Sequence, residues 1–165
     1  MMAEREFVTL EQWLDPSTDT TSVALVGAAD RGDELARQLR LENFVVRAVR
    51  GARMRTTTAV FDEFAAAFQF PAYFGRNKDA FDDVMRDLDD VLGLGAGYVL
   101  VVRDADALLS DQSDQRSWFR ETMDFYAQEW SPVVFRTVYQ FESGSCEPHV
   151  GDLMELHYPD TAPQH

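Results

Sequence analysis

The run Tyr98-Val99-Leu100-Val101-Val102 decides the fold. Five apolar residues in succession follow glycines at 93, 95 and 97 and give way to Arg103-Asp104. A stretch so short, apolar at every position rather than at alternate ones, describes a strand buried on both faces of a sheet. Such a strand needs cover on each side, and the flanking sequence supplies it. Downstream, Phe119, Met123, Tyr126 and Trp130 recur at helical spacing in a segment that Ser113 can cap and Pro132 ends. Residues 133–141 then alternate as a last strand. Upstream, residues 44–49 read as a strand closed by Gly51, and Thr56 to Thr58 offer N-caps for a helix carrying Phe61, Phe64, Ala65 and Phe68 on one stripe. Pro71 cannot continue that helix. A loop over 72–78 leads into a further helix over 79–91.

Nearer the N-terminus, residues 22–27 form another short apolar run with a glycine exit, followed by a helix over 33–41 with Leu35 and Leu39 one turn apart. Strands that alternate with helices pair in parallel through crossovers. The expected fold is therefore α/β, a small parallel sheet of about four strands (22–27, 44–49, 98–102 and 133–141) flanked by helices. Residues 1–21 hold one amphipathic piece (Phe7, Leu10, Trp13, Leu14), and residues 143–165 are patterned too weakly to read as anything but a tail. Three parts follow: an N-terminal β-α extension over 1–42, a central domain over 43–141 and a tail over 142–165.

Acidic residues outnumber basic ones 29 to 15, for a net charge of −14, while 45 % apolar residues provide for a sizeable core. That charge argues against direct binding of nucleic acid or an anionic membrane, since both need a basic face. It favours a cationic partner. The single cysteine, Cys146, cannot form an internal disulfide, and the N-terminus has no basic, then apolar, leader pattern. A cytoplasmic protein is expected.

Catalytic constellations are weak. The turn from Gly27 to Gly32 lacks the Gly-Lys-Ser/Thr ending of a phosphate loop and carries Asp30. Cys146 and His149 are spaced like half a zinc site with no second pair nearby, so no metal is expected. All three histidines, 149, 157 and 165, fall in the expected tail. Neither an enzyme with a small-molecule substrate nor a cofactor is indicated.

The distinctive segment is 70–90, with aspartates at 79, 82, 83, 87, 89 and 90. On one helix, Asp79, Asp83, Asp87 and Asp90 fall within roughly 80° of each other. Ala80, Phe81, Val84, Met85 and Leu88 take the opposite, buried side. Acidic pairs at i, i+4 cost a helix roughly 0.2–0.5 kcal/mol each, a strain that a cationic partner would relieve.

The same segment, Phe70-Pro71-Ala72-Tyr73-Phe74-Gly75-Arg76-Asn77-Lys78-Asp79-Ala80-Phe81, resembles the hallmark of the barstar family. There a Pro-x-Tyr-aromatic-Gly-x-Asn-x-Asp-Ala-hydrophobic run joins the first helix to the second. The order of elements from about Asn43 to Phe141 is also similar. The resemblance implies an immunity-type inhibitor that plugs the cationic active site of a bacterial ribonuclease with acidic side chains. It places the partner contacts at Tyr73, Asn77, Asp79 and Asp83, with Asp82 and Asp87 adding charge, and makes Pro71, Gly75, Ala80 and Phe81 its structural positions. Plain structural roles stand beside these: Tyr73 as a half-buried anchor, Gly75 as a positive-φ position, Asn77 as an N-cap. The alternative is an interaction module of the same fold with another partner, a DNase toxin or a regulatory protein. Five departures bear on that choice, among them Arg76 in the loop and Leu88, near which the family has a tryptophan. Asp82 replaces an aromatic and Lys78 an apolar residue, while Arg116 lies where the third helix would offer a glutamate, with Asp114 the nearest acid. The contacts all lie beyond Phe70, so deletion of residues 1–42 is expected to spare target binding.

Overall fold

A computed structural model describes residues 6–142 and 153–158. Its strands are β1 (Phe7–Thr9), β2 (Ser22–Val26), β3 (Phe44–Arg50), β4 (Gly97–Arg103), β5 (Val134–Phe141) and β6 (Met154–His157). The helices are α1 (Leu10–Leu14), α2 (Asp30–Leu41), α3 (Thr57–Phe68), α4 (Lys78–Arg86), α5 (Leu88–Leu92) and α6 (Arg116–Trp130). All strands pair in parallel, in the order β1-β6-β2-β5-β4-β3.

The α/β class and the parallel sheet are as expected, but the sheet has six strands rather than four. The two extra strands are β1 and β6, which pair with each other over Phe7–Glu155, Val8–Leu156 and Thr9–His157. With three and four residues, they are too short to show a period of two, and each is a strand only because the other is present. One of them lies within the stretch read as a tail. His157 sits in β6 with its ring edge-on to Phe7. The Cys146–His149 pair and His165 lie outside the described residues.

The central strand β4 shows why its sequence is apolar throughout. Tyr98, Leu100 and Val102 join a core with α3, α4, α5 and α6, whereas Val99 and Val101 join a second core with α1 and α2. Register ties Leu100 to Arg47 on one side and Thr137 on the other. Gly97 opens the strand where a Cβ would stand 2.7 Å from the Val134 carbonyl oxygen, so no larger residue fits there without a shift.

The N-terminal segment is sewn into the rest by buried and half-buried polar contacts. The Arg136 guanidinium, buried in β5, donates through Nε to the Trp13 carbonyl at 2.6 Å and through Nη2 to the Asp15 carbonyl at 2.9 Å. Asp124 of α6 accepts from the hydroxyls of Thr21 at 2.9 Å and Ser22 at 2.6 Å.

Burial pushes the Tyr126 and Tyr139 phenols far above their ordinary range, and for Tyr126 a hydrogen bond to Asp82 adds to it. A group that holds its proton more tightly when folded contributes stability below its unfolded pKa, about 10 for tyrosine, and loses it as pH rises beyond. Stability is therefore expected to fall above about pH 10. Tyr126→Phe should flatten that fall, as urea titrations on either side of the threshold would measure.

Candidate functional site

The loop between α3 and α4 is built to turn one aromatic outward. Helix α3 ends at Gln69 in the left-handed conformation, φ 54°. The Phe74 amide then closes a turn onto the Pro71 carbonyl at 3.0 Å. Phe70 and Phe74 fold inward, their ring centroids 5.0 Å apart, and Phe74 meets Phe61 at 6.3 Å. Tyr73, between them, is 86 % exposed. The half-buried anchor is thus Phe74, and Tyr73 stands free.

Positive φ falls at Arg76, 52°, and not at Gly75. Glycine at 75 has another reason: a Cβ there would stand 3.3 Å from both the Ala80 Cβ and Asn77 Nδ2, so it lets the loop close onto the first turn of α4. Asn77 caps that helix. Its Oδ1 accepts from the Ala80 amide at 2.8 Å and its Nδ2 donates to the Gly75 carbonyl at 3.2 Å. Asn77→Ala should therefore cost about 0.5–2 kcal/mol of stability, measurable by urea denaturation. Phe81, fully buried, holds α4 down against Phe64 at 5.0 Å and Phe61 at 5.5 Å.

Asp79 and Asp83 stand exposed one turn apart on α4. The acidic stripe does not run on unbroken, because the single helix expected over 79–91 is two. The Met85 carbonyl accepts from the Trp130 indole at 2.9 Å, the ladder stops, and Asp87 occupies the bend between α4 and α5. Leu88, at the start of α5, is buried in the core. Asp87 is exposed but off the line of Asp79 and Asp83. Asp82 is half-buried and accepts a hydrogen bond from the Tyr126 hydroxyl, which ties α4 to α6.

None of the basic residues of this segment forms an ion pair with its aspartates among the described residues. Arg76 forms an ion pair with Asp62 of α3. Lys78 donates to Gln115 Oε1 at 2.8 Å with its ammonium 4.5 Å from the centre of the Trp118 ring. Arg86 lies over Phe125, 5.4 Å from the ring centre. Asp79 and Asp83 have no ion-pair partner among the described residues. Arg116 is occupied elsewhere, donating to the Leu108 carbonyl at 2.9 Å. Asp114 is exposed on the turn before α6, beside the Gln115 that holds Lys78, and so flanks the start of α4. Gln115, Trp118 and Tyr126 are the residues missed in the sequence. Tyr126 was read only as part of the apolar stripe of α6, and no sequence signal singled out Gln115 or Trp118.

The family model described as Barstar (barnase inhibitor) matches residues 44–140. The chain belongs to the barstar family. That match runs from β3 to β5 and takes in the loop, both acidic helices and α6. A search of curated proteins finds no match. Barstars are inhibitors that bind a protein partner. No helix of the described residues is long and apolar enough to cross a membrane.

Proposed function

We propose that this barstar-family chain inhibits a cationic ribonuclease by covering its active site with the Tyr73 loop and the Asp79–Asp83 face of α4. The observation that carries the reading is the unneutralised pair, Asp79 and Asp83, exposed while Arg76, Lys78 and Arg86 are each engaged elsewhere. Two carboxylates one turn apart, about 6 Å along a helix, can stand where successive RNA phosphates would lie against arginine and lysine. Tyr73 offers an exposed ring of the kind that anchors interfaces. Asn77 acts through the loop shape it sets, and Asp87 adds field rather than contact. Asp82 belongs to the α4–α6 seam, and its contribution to binding is indirect.

On this reading the protein works inside the producing cell as an immunity protein. It performs no catalysis and takes no cofactor, and residues 43–141 carry the inhibitory surface. Lys78 and Asp82 depart from the family pattern beside that surface, so the target is a ribonuclease first and a DNase toxin or regulatory protein second.

A pull-down of the partner, repeated at high salt, tests the reading. Association should slow about tenfold or more between about 0.05 and 0.5 M salt, because the acidic face steers encounter. Asp89→Ala, exposed on α5, should soften that salt dependence without changing dissociation, as stopped-flow mixing would measure. A partner that binds with salt-independent kinetics would overturn it.

A further inference from the structure

Among the described residues, the two faces of the sheet are unequally covered. Helices α3 to α6 pack on one face, whereas the other has α2 and the five-residue α1. Six strands about 4.8 Å apart span about 24 Å, wide enough for two to three helices at about 10 Å each. Helix α1 is only about 7.5 Å long. Beside it a cavity of about 530 Å³ opens, floored by Leu10 and Leu14, one turn apart on α1, and by Phe44 at the start of β3. Its rim is acidic, formed by Glu11, Asp15 and Glu42. All three carboxylate residues are exposed, and none is in an ion pair among the described residues.

We propose that this groove docks an amphipathic helix with cationic flanks, contributed by a protein partner. A helix with an apolar stripe at i, i+3, i+4 would fill the space over Leu10, Leu14 and Phe44. The sign of the flanks follows from three exposed carboxylates without an ion pair among the described residues, Asp15 accepting only from Ser17 and Glu42 from Gln38, in a chain of net charge −14. An anionic surface would be repelled. The groove lies across the sheet from Asp79 and Asp83, so both surfaces can be occupied at once, and its occupant need not be the nuclease.

A labelled fourteen-residue peptide of leucine and lysine in amphipathic order, titrated into the full chain, provides the probe. It should bind at one site and gain helical circular dichroism. Glu11→Lys, Glu42→Lys and Leu14→Gln should each weaken binding by about tenfold, while Asp83→Asn leaves it unchanged. Glu11 and Glu42 are exposed, so their reversal keeps the fold, which the thermal transition would verify. Absence of binding, equal binding by the groove variants, or loss of binding in Asp83→Asn would overturn the proposal. So would a dimer in sedimentation that Leu14→Gln dissolves, since the groove would then belong to a second copy.

Discussion

Asp83→Ala is expected to speed dissociation of the target complex by between about 30-fold and several thousandfold while leaving the free protein folded. The carboxylate is exposed and carries no ion pair among the described residues, so its removal opens no cavity and orphans no internal cation. In the free helix it stands one turn from Asp79, and relieving that like-charge pair should add roughly 0.2–0.5 kcal/mol of stability. Bound, it would face desolvated arginine or lysine, and truncating one member of such a pair typically costs about 2–5 kcal/mol or more, a range established on a complex of this family rather than on this chain. Stability and binding should thus move in opposite directions. A variant that dissociates no faster than wild type would reduce the acidic face to ordinary surface charge.

Deletion of residues 1–42 is expected to abolish cooperative unfolding. It removes β1, α1, β2 and α2 together. The β5 edge that pairs with β2 from Thr137 to Phe141 would be left open, and Val46, Val99, Val101 and Val138 would lose the cover of Trp13, Leu35 and Leu39. An uncovered, apolar strand edge is an aggregation site. The expectation that this deletion spares binding therefore needs a gentler test. Trp13→Ala supplies it, because its side chain is fully buried and its indole donates to the Thr21 carbonyl at 3.1 Å. It should cost about 3–5 kcal/mol in urea denaturation. Dissociation of the target should stay at the wild-type rate, since every proposed contact lies on the other face.

Strands β2 to β5 and the helices between them were legible because burial on both faces leaves continuous apolar runs, while burial on one face leaves a helical stripe. What escaped depends on partners distant in the chain. Phe7–Thr9 and Met154–His157 are strands only through each other. The bend at Asp87 arises from Trp130 capturing the Met85 carbonyl, although Leu88 fits the period of an unbroken helix equally well. At the candidate site, the spacing placed Asp79 and Asp83 together on an open face, where they are. Helical geometry puts Asp82 beside that stripe, and nothing local reveals the Tyr126 hydroxyl on α6 that it accepts from. Glycine 75 was expected at a positive φ, yet the turn puts that strain on Arg76 and uses the glycine for a close approach.

The most direct test of the central claim is an inhibition titration against small basic ribonucleases, barnase among them, with RNA cleavage as the readout. Wild-type protein should extinguish cleavage by its target at a one-to-one ratio, and the Asp79→Ala, Asp83→Ala double variant should leave that enzyme active at the same ratio. Equal inhibition by the double variant, or a ribonuclease that is bound and still cleaves RNA, would contradict the account.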